Sequence, residues 1–205
     1  MAEGRDLATW IRSLADSDPG KRLAAAAQLH SAGATLFLSA AREWLKDPEF
    51  RELVSPFFAD ATREPGSEDI PFSVGIAVQP ESFERIRAAN GSPRLADVPP
   101  DQDAMEFEFR SGEREEFDIL TTRAPGGSGA IARYLQKFGE GIQQIELNVT
   151  SVNRATEILR TRFALTPVYP ETHAGADGTR VNFFLVPAAE GKRVLMELVE
   201  PAPGT

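Results

Sequence analysis

In the stretch "IQQIELNV" (residues 142–149) polar groups recur at every second position: Gln144, Glu146 and Asn148, interleaved with Ile145, Leu147 and Val149. An extended chain sends successive side chains to opposite faces, so the three polar groups share one face. "VLMELVE" (194–200) repeats the arrangement, with Glu197 opposite the apolar set Val194, Met196 and Leu198. "FSVGIAV" (72–78) sets Val74, Ile76 and Val78 against the small residues Ser73, Gly75 and Ala77. Carboxylates such as Glu146 and Glu197 can take part in acid–base chemistry, and amides can hydrogen-bond a ligand carbonyl or hydroxyl. The same oxygen donors suit magnesium, calcium or manganese, whereas zinc and iron favour imidazole or thiolate. A solvated sheet face would give the same alternation, so a polar ligand cavity and a wet surface both remain open here. Gln143 falls on the other face and reads as structural or exposed.

These strands sit in a repeated order. Residues 72–78 form a strand candidate, "PESFERIRAAN" (80–90) a helix closing on Gly91, and "PRLADV", "AMEFEF" and "REEFDILTT" three further strands. The pattern βαβββ then recurs: "IQQIELNV", the helix "SVNRATEILRTRF" (151–163) capped by Ser151, then "LTPVYPE", "TRVNFFLVP" and "KRVLMELVE". Between the copies lies "APGGSGAIARYLQKFGEG", a flexible start followed by an amphipathic helix.

Ahead of both copies the chain is helical. "DPGKR" (18–22) returns as "DPEFR" (47–51), each with an Asp able to cap a helix and Pro at its first position. The period of about thirty resembles HEAT-like helical repeats, although a small helical cap reusing one turn explains it equally. The expected organisation is a helical segment over 1–64, a linker over 65–70 within "TREPGSEDIP", and a first βαβββ module over 71–122. A connector with a helix (123–139) and a second module (140–201) follow.

Composition narrows the function. The chain has 205 residues, 41% hydrophobic and 26% charged, with 31 acidic against 22 basic residues and a net charge of −9. That balance argues against nucleic acid and against an anionic membrane surface. With no cysteine, disulfides, thiolate metal sites and cysteine nucleophiles are excluded. The N-terminus has no apolar signal core and no apolar run nears 18 residues, so a cytoplasmic protein is expected. "APGGSG" (124–129) lacks a phosphate-loop fingerprint, and there is no Gly-x-Ser-x-Gly elbow. Arg180, Lys192 and Arg193 could meet an anionic substrate but also read as ordinary surface.

"AIARYLQKFGEGIQQIELNV" and "VLMELVEP" resemble the corresponding stretches of methylmalonyl-CoA epimerases, of the vicinal oxygen chelate, or glyoxalase-like, superfamily. The resemblance covers residues 71–201. It implies an α+β fold whose paired βαβββ modules form a cupped mixed sheet, preceded here by a small all-α helical cap. It also implies a concave face gathering Ser73, Asp118, Gln144, Glu146, Asn148 and Glu197. The family holds a divalent metal there with two histidines, a glutamine or glutamate, and a glutamate. Ser73 and Gln144 stand where the histidines belong, Asp118 at the second position and Glu197 at the fourth. The metal site is thus expected to be degenerate: any cation would be magnesium, manganese or calcium, weakly held by Asp118, Gln144 and Glu197. Neither His30, on a cap helix, nor His173, in the loop "PETHAGADGT", obviously replaces the missing ligands.

Two functions follow as expectations. One is a divergent epimerase or lyase acting on a small oxo-acid or acyl thioester, with Glu197, Asp118 and Glu146 as candidate bases and Ser73, Gln144 and Asn148 binding ligand. The other is a non-catalytic module binding a small ligand, or a partner through its helical segment. The resemblance makes a homodimer one expected assembly.

Overall fold

The computed structural model describes residues 2–58, 70–112, 115–188 and 193–203. The expected linker at 65–70 lies almost wholly outside them, as does Lys192. The chain divides into two compact units, residues 1–33 with 73–143 and residues 34–72 with 144–205. The class is α+β, as expected, with six α-helices and seven strands among the described residues.

The helical segment comprises α1 (Ala2–Ser13), α2 (Pro19–Trp44), α3 (Pro48–Val54) and a short 3-10 turn at Ser55–Phe57. Both expected caps form. Asp18 Oδ1 accepts from the Gly20 N–H at 2.8 Å, and Asp47 Oδ1 accepts from Glu49 and Phe50 at 3.0 and 3.1 Å. Each proline stands where a helix has no intrahelical partner for an N–H anyway.

In the first unit β1 (Ser73–Ala77) leads through α4 (Pro80–Ala89) to β2 (Met105–Ser111) and β3 (Glu115–Thr121). β1 pairs in parallel with β3, and β3 in antiparallel with β2. Register places Val74 and Phe109 beside Phe117, and Ile76 and Phe107 beside Ile119. That apolar face carries the unit's core: Phe83 of α4 meets Phe107 edge-on at 4.9 Å, and His30 of α2 meets Phe117 at 6.3 Å. α4 ends at Asn90 and Gly91, whose φ of +84° is the left-handed turn glycine takes without a Cβ clash. α5 (Ala130–Phe138) follows, and its Tyr134 hydroxyl donates to the Ile142 carbonyl at 2.8 Å. Burial pushes that phenol up to about 12.

In the second unit β4 (Gly141–Asn148) leads through α6 (Val152–Arg162) to β5 (His173–Ala174), β6 (Arg180–Pro187) and β7 (Arg193–Glu200). β4 pairs in parallel with β7, β7 in antiparallel with β6, and β6 with β5. Ser151 caps α6 as expected, accepting from Arg154 N–H at 3.4 Å, and Glu200 Oε2 accepts from the Val152 N–H at 2.8 Å. α3 is tied to α6 by charge. Glu49 accepts from Arg154 and Arg162, both at 2.5 Å, and Asp47 Oδ2 accepts from Arg162 at 2.6 Å. Phe37, Trp44, Phe50 and Phe72 form an aromatic cluster with centroids 5.8–6.2 Å apart.

Two expected strands do not form. "PRLADV" (93–98) makes one ladder-like bond, from Ala96 N–H to the Glu106 carbonyl at 2.9 Å. Among the described residues the backbone of "LTPVYPE" (165–171) pairs with β6 only through a Pro167–Phe184 bridge, with a bond from Val168 N–H to the Phe183 carbonyl at 2.7 Å. Both stretches contain or abut prolines, which cannot donate to a ladder and interrupt pairing after a residue or two. Conversely His173, expected in a loop, belongs to the two-residue strand β5.

Candidate functional site

The second unit gathers three of the expected residues into one cluster. β4 and β7 run side by side with Glu146 opposite Glu197 and Gln144 opposite Leu195, so all three polar groups emerge on one face. Gln144 is 5% exposed and Glu197 9%, while Glu146 is half-buried. The Gln144 amide nitrogen donates to Glu197 Oε2 at 2.5 Å and to Glu146 Oε1 at 2.7 Å. A primary amide has two N–H hydrogens, so this geometry engages both and leaves its oxygen as an acceptor. Two neighbouring carboxylates repel, and an amide donor lodged between them offsets that repulsion. Gln144 therefore orients the two carboxylates. Asn148 lies on the same face beside Val199.

Across β7 the partner of Glu197 is Phe183, and β5 places His173 beside Val181, on Phe183's side of the sheet. The Tyr169 ring bridges them, 4.4 Å from the His173 ring and 6.0 Å from Phe183. His173 thus belongs to an aromatic group on the face that carries Glu197. Arg180 donates to Asn153 and Thr172 and pairs with Glu200 at 3.6 Å.

In the first unit Asp118, 2% exposed, sits beside Gly75 on β1 and opposite Glu108 on β2, with Ser73 one step along the same face. Carboxylate oxygens of Glu106, Glu108 and Asp118 all lie within 4.8 Å of one another. Sequence reasoning named Asp118 and missed both glutamates. The signal was present: "MEFEFR" alternates, and antiparallel pairing with "EEFDIL" sets Glu108 against Asp118.

The donor chemistry tests the family's divalent ion. The first unit's three carboxylates are hard oxygen donors fit for calcium, magnesium or manganese. The second unit's trio does not fit a cation as arranged, because an N–H donor, and not an oxygen, stands between its two carboxylates. Neither group offers imidazole or thiolate.

A fold of duplicated βαβ-type modules, each pairing its first strand in parallel with its last, is shared with solved structures. The chain is 30% identical to a methylmalonyl-CoA epimerase from Mycobacterium tuberculosis, over 65% of this chain and 89% of that one, with a TM-score of 0.53. A hypothetical protein from Bacillus halodurans C-125 matches at 24% identity, 65% and 94% coverage and TM-score 0.53. A variant of the Streptomyces coelicolor methylmalonyl-CoA epimerase, in complex with 2-nitronate-propionyl-CoA, matches at 24%, 64% and 93% coverage and TM-score 0.51. No family model and no curated protein matches. The chain belongs to the vicinal oxygen chelate (glyoxalase-like) superfamily. Among the described residues no helix is long and apolar enough to cross a membrane.

Proposed function

We propose that this protein binds a small oxo-acid or acyl thioester against the Gln144–Glu146–Glu197 face and moves a proton at the carbon next to the ligand's carbonyl. The observation that carries this reading is the buried Glu197 carboxylate, held by an amide that also holds Glu146. In the proposed reaction Glu197 accepts the α-proton and returns it, and Glu146 is the second candidate base. Gln144 keeps the two carboxylates aligned, and its free amide oxygen can accept a bond from a ligand hydroxyl or N–H. Asn148, on the same face, supplies a further amide for a ligand carbonyl. Asp118 is the candidate base of the first unit, with Ser73 beside it as a ligand contact. A similar epimerase seen with an acyl-CoA analogue supports the substrate class.

A divalent cation, when bound to the first unit, would supply electrostatic stabilisation to a ligand oxygen held there. Magnesium, calcium or manganese at Glu106, Glu108 and Asp118 is the version that the donor chemistry favours. A degenerate metal site relative to the family, a homodimer and a cytoplasmic location complete the proposal.

The second reading is a non-catalytic ligand-binding or interaction module that uses the helical segment. It draws support from Ser73 and Gln144 standing at the family's histidine positions and from Gln144 having both N–H groups engaged. Incubating the protein with acyl-CoA and dicarbonyl compounds in deuterated water separates the two. Deuterium entering at the α-carbon, and lost in Glu197→Gln, supports proton transfer; no exchange with any compound, with or without manganese, leaves the binding module.

A further inference from the structure

A second feature lies on the opposite side of the same strands. α6 buries Val152, Ala155, Ile158 and Leu159, and turns Asn153, Thr156, Glu157 and Arg160 elsewhere. Those four positions follow the i, i+3, i+4, i+7 spacing of one helical stripe. They do not face open solvent alone. With Thr166, Pro167 and Thr172 opposite and Asn182 at the floor, they line a cleft of about 840 Å³, within the few hundred to about one thousand Å³ typical of small-molecule sites. Register separates this cleft from the proton-transfer face: Asn182 pairs with Leu198, on the opposite face from Phe183 and Glu197.

The cleft follows from the sequence. Pro167 and Pro170 keep residues 165–172 from zipping onto β6, so beyond the Leu165 N–H bond to the Leu159 carbonyl at 3.1 Å the segment meets the sheet's backbone at one bridge. Its far end is fixed where Arg180 donates to both Asn153 and Thr172, at 3.2 and 3.0 Å. The floor is polar although the face is otherwise apolar. Asn182, fully buried between Val181 and Phe183 in sequence, reaches Thr156 Oγ1 with its amide nitrogen at 3.4 Å. A helix packed on a sheet normally fills such a space with aliphatic side chains; here hydroxyls, amides, a guanidinium and the carboxylates of Glu157 and Glu171 line much of it.

The charges point to the ligand. Of the cleft's two carboxylates, Glu157 is engaged by Arg154 at 2.6 Å, and Glu171 stands on the facing segment, across from Arg160's helix. Among the described residues Arg160 makes no ion pair, and its guanidinium fork matches a carboxylate. Thr156 lies one turn back on the same stripe, about 6 Å along the helix axis, within reach of a hydroxyl or carbonyl oxygen a few bonds from that carboxylate. We propose that this cleft is a second small-molecule site, taking a small hydroxy- or oxo-carboxylate with its carboxylate on Arg160 and its second oxygen toward Thr156.

Isothermal titration of the full chain with malate tests it, with acetate as the carboxylate lacking a second oxygen. Malate should bind with one-to-one stoichiometry and more tightly than acetate. Arg160→Gln should weaken malate by at least about tenfold, the loss of a charge-assisted bond, and Thr156→Val should weaken it by less. Arg42→Gln, on exposed surface far along the sequence, and Glu197→Gln should leave the affinity unchanged. Arg160 is exposed, so its variant should fold, and an unchanged circular dichroism spectrum checks that. The proposal is overturned if wild type shows no heat with millimolar malate, if Arg42→Gln loses as much as Arg160→Gln, or if Glu197→Gln abolishes binding.

Discussion

The two units use one register and fill it differently. In the first, β1 pairs with β3 so that Gly75 stands beside Asp118; in the second, β4 pairs with β7 so that Glu146 stands beside Glu197. The match extends outward: Ser73 corresponds to Gln144, Phe117 to Met196, and Ile119 to Leu198. On the next strand Glu108 faces Asp118 where Phe183 faces Glu197, and Glu106 corresponds to Val181. The first unit therefore gathers its acids across the outer strand pair, with small residues on its first strand. The second gathers its acids across the inner pair, with an amide between them and apolar residues outside. A duplicated scaffold keeps the helix-facing apolar rows, because a one-residue slip would expose them. The other face is free to diverge, and there the two halves have acquired different chemistry: an all-carboxylate group against an amide-bridged one.

Four experiments press on that difference. The largest effect should come from Gln144→Leu, which removes the donor between two buried or half-buried carboxylates. A loss of about 2 kcal/mol is expected for removing the amide that offsets their repulsion. For a chain of this size that lowers the melting temperature by roughly 4–8 °C, readable by calorimetry at pH 7. An unchanged midpoint would mean the bridge contributes nothing. Calcium should distinguish the units next. At about ten times its dissociation constant, an ion bound only to the folded state adds roughly 1.4 kcal/mol. The shift should vanish in Asp118→Asn and persist in Glu197→Gln; the reverse pattern would reassign the ion to the second unit.

The paired caps provide a finer comparison. Asp47 accepts two backbone N–H groups and a guanidinium, whereas Asp18 accepts one N–H at the start of its helix. Asp47→Ala should cost about 1 kcal/mol and Asp18→Ala about half as much, measured by urea denaturation; equal costs would remove the distinction. The smallest effect is on acid stability. Arg162 and the backbone donors hold the Asp47 carboxyl below the ordinary range, and Arg154 and Arg162 do the same for Glu49. Folded values below the unfolded ones mean a contribution present above the unfolded range of about 4, and lost as pH falls through the lowered folded values. Arg162→Gln should therefore flatten the acid limb of a melting-temperature profile between neutral pH and about pH 3, with little change near pH 7 beyond the lost surface pair.

Much of this was legible in the chain. Alternation in "IQQIELNV" and "VLMELVE" set the faces of Gln144, Glu146 and Glu197, and the Asp-Pro pairs marked the starts of α2 and α3, because each signal is local. "LTPVYPE" misled because strand composition outweighed two prolines whose effect depends on which edge faces a neighbour. Glu106 and Glu108 were hidden in plain alternation; only antiparallel pairing with β3 turns "EFE" into a partner for Asp118. The amide bridge was beyond reach, since it depends on β4 and β7 lying side by side although about fifty residues separate them.

The prolines of 165–172 also bear on solubility. β6 ends its sheet with Leu185 half exposed and a two-residue β5 as its formal neighbour, the kind of margin on which a foreign strand can add itself and begin aggregation. A segment that can bond there at Pro167 and Val168 but cannot extend the ladder acts as a blunt stop. It shields the margin without becoming a longer one, so replacing Pro167 and Pro170 by threonine would favour strand-on-strand self-association.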